Sequence, residues 1–536
     1  MNNVTISFLA LILVGFEVAL PHALLPTRQD NYSNRYQRSA FVGRTPFTSN
    51  TSPLGATSNA SFHSYSSQNP DYQSAVLELL ELWTSPRDEE QALAFLFVNQ
   101  KHSASFKEIV KDVSEKLGKQ TSLLSLIGGG IINGCEEIDD ADVPSMSLLG
   151  GILPKGAQVT TFSVQSDDDE STKIPSSALS SNSHIVFSDP FCTKITQVLQ
   201  LLDKGANNDN VKGNSVVAGG ISVPPTMMEP SVSLQGKVLD PGALIGVSLS
   251  GTVGLQAIVA QGCRPVGPTF TITEMRAHAI AELDSKPALE QLEKTAEEAN
   301  EVDKSLIRDL GILGGVVHNS RNGQGFSEET QQPEEGAGDF LIRQVIGFRP
   351  QSGSFLVAGG HQLKVGDSFR FHVRAPDAAL DDMELMVQRA KTERLVLGSQ
   401  RMGMPLCALQ ISCVARGKSL YGRPNVDLSV AGGLLENSSC NGVEATGQTE
   451  TVDSEAGFDK EGTPPIAGFF ANGEIGPVGI QMGSTKNESA PGNSLKSSTH
   501  LHGFTTIVCL LCEHQQTEDH SIIGASDPIK IEDAWG

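Results

Sequence analysis

Six side chains sit where polar groups at the rims of strands can meet a ligand. They are Cys135 and Glu136 near the front of the chain, Cys413 and Arg416 in its second half, and Asn472 and Glu474 further on. The last two lie in IAGFFANGEIGPVG, Ile466 to Gly479. Its apolar front reads as a buried strand, and Asn472-Gly473 supplies the positive φ of a tight turn. Arg416-Gly417 closes a second apolar strand, CALQISCVARG. A planar guanidinium suits a carboxylate, and Glu474 with Asn472 suits an amine, so together they fit an amino-acid-like molecule. The alternative is that Arg416 and Glu474 pair with each other and only hold the sheets together.

Other chemistries lack their residues. Gly246 to Gly251 does not keep the Gly-x-Ser-x-Gly spacing of a nucleophile elbow. Gly128-Gly129-Gly130 has no Lys-Ser/Thr after it, and Asp139, Asp140 and Asp142 would repel phosphate. Cys509 and Cys512 lie three apart in an apolar strand, on opposite faces, and cannot share a metal there. His500 and His502 can share a strand face but have no third ligand nearby. Cys135 and Cys413 have no histidine at a defined spacing to activate them. The expectation is therefore binding without catalysis, metal or cofactor.

The 536 residues exceed one ordinary core, so at least two domains are expected. A net charge of −23 disfavours nucleic acid and anionic membrane as partners. Eight scattered cysteines read as buried thiols in a reducing compartment. The apolar run Ile6 to Phe16 resembles the core of a signal peptide, giving a first segment 1–23. Residues 24–70 carry four arginines against one acid and many hydroxyls, as a disordered transit peptide does. Together they resemble the two-part address of a plastid. An ordinary secreted protein is the alternative.

From Asp71 onwards the pattern is that of a folded α/β (α+β) chain. Mixed or antiparallel sheets carry helices on a face, in two similar halves, 71–275 and 340–513, joined by a helix and flexible linker, 276–339. Helices are expected at Tyr72 to Trp83, Phe106 to Leu117, Lys194 to Leu202, Ser285 to Val302 and Ala379 to Lys391. Ala243 to Ser250 and Leu255 to Gln261 flank a Ser-Gly-Thr turn and read as a hairpin. Two proline-imposed turns over Gly262 to Pro268 close the first half. Ser166 to Ser183, 436–464 and 483–499 read as polar insertions, and 514–536 as a tail.

Several stretches, in order, resemble the FIST family. In the first half these are SLIGGGIINGCEE, SMSLLGGILPKGAQV and QAIVAQGCRPVGPTFTIT; in the second, FLIRQVIGFRP, VGDSFRFHVRAPD, CALQISCVARGKSLYG, IAGFFANGEIGP and HGFTTIVCLL. The resemblance runs from about Ala92 to Leu511. It implies an intracellular sensory module that binds small ligands such as amino acids or their derivatives. Asp71 to Trp83 lacks the Leu-Pro-led pattern of an F-box, and no signalling domain follows. A stand-alone organellar ligand-binding protein is therefore expected. The runner-up is a protein-interaction adaptor that presents substrates to a ubiquitin ligase.

Overall fold

The computed structural model describes residues 60–134, 136–166, 174–205, 215–226, 229–317, 340–435, 463–477, 480–482 and 499–514. Three mixed sheets and one antiparallel sheet account for its strands. The internal likeness, read from sequence as two halves, is threefold in space. In each of three units two parallel strands are joined through helix. These are Ala92–Asn99 to Thr121–Gly128, Ser183–Ser188 to Val216–Ile221, and Met404–Cys413 to Ile466–Ala471. Parallel neighbours need such a crossover, and burial on both faces explains their continuous apolar runs. The crossovers contain Phe106–Leu117, Ile195–Gly205, and the pair Lys418–Tyr421 and Val426–Gly432. Beside each first strand lie two antiparallel strands in the same order. Met146–Ile152 precedes Ser61–Ser67, Leu244–Ser250 precedes Gln158–Val164, and Thr505–Glu513 precedes Val253–Gln261.

After its second parallel strand each unit leaves its own sheet and adds antiparallel strands to the edge of another. Ile131–Ile132 and Glu137–Ile138 join the third unit at Ile466–Ala471. Val232–Leu234 and Lys237–Val238 join the first at Thr121–Gly128. Glu474–Gly476 and His500–His502 join the second at Val216–Ile221. The exchange closes into a ring. Apolar inner faces of all three sheets meet in one core, while helices cover each outer face. Phe97, Phe187 and Phe469 touch one another at that core, with ring centroids 5.3–6.2 Å apart. Gly220 makes room for them: a Cβ there would lie 2.8 Å from Ile411 and 2.9 Å from Phe469.

The fourth sheet is inserted between Val253–Gln261 and Met404–Cys413 of the third unit. Its strands run in the order Cys263–Arg276, Ser368–Arg374, Ile312–Val317, Leu341–Arg349, Ser354–Val357 and Ala279–Leu283. The last pairs back onto the first and closes a barrel. Phe355, Phe369 and Phe371 fill its core, against the helices Ala288–Glu298 and Glu301–Leu310.

Several expectations are corrected. Leu244–Ser250 and Val253–Gln261 do not form a hairpin: they belong to different sheets, and the Gly251 turn carries the chain between them. Both strands are buried on both faces, so alternation could not reveal the change of sheet. Residues 263–276 form one bulged strand, without two proline turns; Pro265 lies within it, and the bulge falls between Val266 and Thr269. The helix expected over 285–302 is two helices, because Asn300 caps the second by accepting from the Asp303 amide. The segment read as linker supplies the barrel strands Ala279–Leu283 and Ile312–Val317. The disordered leader expected over 24–70 does not hold for its last part, since Ser61–Ser67 is an edge strand with Phe62 buried; residues 1–59 lie outside the described residues. Within the insertion expected at 166–183, Ser176–Leu179 is a helical turn. The insertions within 436–462 and 483–498, the loop 318–339 and the tail beyond 514 lie outside the described residues.

Candidate functional site

The three exchanged strands allow a residue-by-residue comparison. Ile131 stands opposite Phe469, Val232 opposite Leu126, and Glu474 opposite Gly220. All three positions face the shared core, and Ile131 and Val232 are buried apolar members of it. The third unit puts a carboxyl where the other two put aliphatic side chains. Glu474 is fully buried. Its Oε2 accepts from the Thr505 hydroxyl at 2.6 Å and the Thr505 amide at 3.2 Å. Oε1 accepts from no N–H or O–H donor among the described residues, and the Cys413 thiol lies close enough to hydrogen-bond the carboxyl. Burial pushes the Glu474 pKa up to about 8, against the pull of the Thr505 bonds. Opposite Glu474 on the paired strand His500–His502 is His502, where the first crossing has Ile138. His502 turns away, with Nε2 3.1 Å from the Gly476 carbonyl, and burial lowers its pKa to about 4. It is neutral and gives Glu474 no counter-charge.

Arg416 belongs to the other face of the same sheet. Its Nε and Nη2 donate to the two oxygens of Asp427 at 2.7 and 2.8 Å, and both side chains are 1% exposed. Tyr421 donates to Asp427 at 2.8 Å and accepts from Arg416 Nη2 at 2.7 Å; Thr506 donates to Asp427 at 2.7 Å. Burial disfavours charge on both partners, but each one's opposite charge outweighs it. Asp427 is held below the usual carboxylate range and Arg416 above its own. Thr505 and Thr506 are strand neighbours, so their side chains leave on opposite faces. Glu474 on Thr505 and Asp427 on Thr506 are thereby separated. Arg416 and Glu474 form no ion pair among the described residues, because Asp427 takes the guanidinium; the Arg416 charge still reaches Glu474 and favours its ionised form. The adjacency of their parent strands does hold, since Met404–Cys413 pairs in parallel with Ile466–Ala471.

A second buried acid joins this outer face. Glu137 accepts from the Asn425 and Leu428 amides at 2.7 and 3.0 Å and from Gln410 at 3.1 Å. Burial, and then the charge of Asp427, raise its pKa to about 7. Its neighbour Glu136, the residue singled out from sequence, is exposed and bonded to Gln68. Cys135 lies outside the described residues. Asn472 is exposed, while its amide donates to the Ile221 carbonyl where the third crossing begins. Gly129 and Gly130 exchange backbone bonds with Phe470 at the first crossing, a structural use of that glycine run.

A FIST N domain matches residues 92–286 and a FIST C domain residues 288–477. The chain belongs to the FIST family. An uncharacterised protein of Mycobacterium tuberculosis is 26% identical over 431 residues, 79% of this chain and 91% of its own length. One from Mycobacterium bovis is 26% identical over 428 residues, covering 80% and 92%. In this FIST protein the boundary between the two matches falls inside the barrel, and both parts supply strands to the exchanged sheets.

Sequence reasoning missed Asp427, Thr505, Thr506 and Glu137. Two adjacent β-branched hydroxyls before IVCLLC, and an acid opening an apolar helical stretch in NVDLSV, were the available signals. Cys509 and Cys512 face different cores, as their spacing predicts. Among the described residues no cluster of His, Cys, Asp and Glu has metal-binding geometry.

Proposed function

We propose that this FIST protein is a sensory ligand-binding protein whose ligand carries an amine, received by Glu474. What supports this is the replacement of a repeated apolar core position by a buried carboxyl, one of whose oxygens accepts from no N–H or O–H donor among the described residues. A buried acid is costly unless paired, so a polar group retained there invites a charged partner. An ammonium beside Glu474 would favour the carboxylate and form a charge-assisted hydrogen bond. Binding without catalysis fits the thiols. Burial pushes Cys263 up to about 12 and Cys413 higher still, which leaves both poor nucleophiles. Amino acids and their derivatives are the ligand class that the amine requirement favours.

Thermal-shift screening of the whole chain against L-amino acids and primary amines tests this. A ligand at about 100 times its Kd stabilises by about 2.7 kcal/mol, and Glu474→Gln should abolish that response. An unchanged response in the variant would place the ligand elsewhere.

A further inference from the structure

Of the twelve large apolar side chains exposed among the described residues, five lie between 385 and 404: Leu385, Leu395, Val396, Leu397 and Met404. Four belong to the helix Pro376–Met402, which is interrupted at Gly398, where φ is 72°. Its inward residues Met383, Val387 and Ala390 pack into the outer core of the third unit. Helical spacing puts Leu385, Thr392 and Val396 on the opposite face. Val396 is 77% exposed and Leu395 61%. Met404, 49% exposed, opens the next strand and stands directly opposite Glu513. Arg394 ties these parts together: its guanidinium donates to the Gly403 carbonyl at 3.0 Å and to the Cys512 sulfur at 3.7 Å. The amide of His514, the last described residue, donates to the Thr252 carbonyl at 2.7 Å. Residues 515–536 therefore start from a fixed point beside an apolar surface.

We propose that residues 515–536 fold back over the outward face of this helix and cover Leu385, Leu395, Val396 and Met404. The segment holds five large apolar side chains, Ile522, Ile523, Ile529, Ile531 and Trp535, and five acids against one lysine. The helix offers the complement, since from Arg389 to Val396 three basic side chains stand against Glu393 alone. Apolar area removed from water supplies the attraction, and opposite charges fix the orientation. The distance from Leu385 to Val396 is about 16 Å along the helix, while the segment extended spans up to about 70 Å. A tether that starts beside the surface keeps the segment at an effective concentration of about millimolar, so contacts too weak between separate molecules suffice here. The other segments that leave the third unit fit less well: 436–462 holds three large apolar side chains in a longer stretch, and 483–498 only Leu495. The contact lies on the outer face of the third sheet, away from Glu474, and does not depend on the ligand-binding role.

The test uses the whole chain with the photoreactive residue p-benzoylphenylalanine in place of Val396, an exposed position that tolerates the change. On illumination it should cross-link within one molecule, to peptides of 515–536, with a yield independent of protein concentration. Replacing Ile522, Ile523, Ile529 and Ile531 together by serine should lower that yield about tenfold or more. The same photoreactive residue at Leu77, also exposed, on the helix Tyr72–Leu80 of the first unit, should give only background. Cross-links between two molecules, rising with concentration, would make a second copy the occupant. Cross-links to 436–462 or 483–498 would make one of those segments the occupant, and no cross-link at all would show a bare face. An undiminished yield in the serine variant, or an equal yield from Leu77, would show contact by proximity alone. Each of these four results overturns the assignment.

Discussion

Replacing Glu474 by glutamine should change how stability depends on pH, with a sign opposite to that of an ordinary paired carboxylate. In the unfolded chain the carboxyl ionises near 4.5; in the native protein burial holds its proton to about 8. Between those values the unfolded state has lost a proton that the native state keeps. Stability is therefore greatest below the unfolded pKa and falls as pH rises, until the native carboxyl ionises as well. The slope is about 1.4 kcal/mol per pH step, so the loss across the window is about 4–5 kcal/mol as an upper figure. The glutamine of the Glu474→Gln variant would keep an oxygen for the Thr505 hydroxyl and amide but has nothing to titrate. The variant should match the wild type to within about 1 kcal/mol at pH 5. At pH 8 it should be the more stable protein by several kcal/mol. Glu137 titrates in the same window, but its partners lie on the opposite face of the sheet, so it cancels in the difference. Chemical denaturation of both proteins from pH 5 to 8 gives the difference directly. A difference that does not change with pH would refute the buried, protonated carboxyl, and with it the basis of the amine site.

The Arg416–Asp427 pair should behave as a buried ion pair: Asp427→Asn or Arg416→Ala should each cost about 3–5 kcal/mol in chemical denaturation, and a loss under about 1 kcal/mol would show the pair to be dispensable. Gly220→Val should cost about 1–3 kcal/mol by crowding Phe469 and Ile411, and Phe469→Leu in the same chain should recover part of that midpoint shift. Cys509→Ala with Cys512→Ala should lower stability through lost packing while leaving metal content unaltered; stoichiometric zinc that disappears in the double variant would overturn their assignment as core residues. Residues 1–59 fused to a fluorescent protein should direct it to the plastid, as the apolar run and the basic segment after it suggest, and secretion of the fusion would exclude that address.

Periodicity and composition made the individual elements legible. ALAFLFVN reads as a doubly buried strand, FKEIVKDVSEKL as an amphipathic helix, and Gln158–Val164 begins and ends where its pattern does. These are local properties, set by which side chains must leave water along a few turns or a few pleats. Cys413, Arg416 and Glu474 were legible as unusual residues at strand ends, because polar groups beside glycine-rich turns stand out from apolar runs. Their partners were not. Arg416 meets Asp427 through a crossover, and Glu474 meets Thr505 across some thirty residues, because sheet register fixes which rims coincide. Sequence reasoning singled out Glu136 as the rim acid that could meet a ligand, whereas Glu137 is the buried one, since only the pairing of Ile132 with Glu137 decides which of two adjacent acids is covered. The threefold exchange lay further out of reach. A strand that leaves its own sheet for another has the same residue pattern as one that stays, because hydrogen bonding to an edge is indifferent to whose edge it is. That Glu474 replaces Ile131 and Val232 was therefore decided by the tertiary structure alone. The chain encoded a carboxyl after a turn, and only the closed ring of exchanged strands buried it in a shared apolar core.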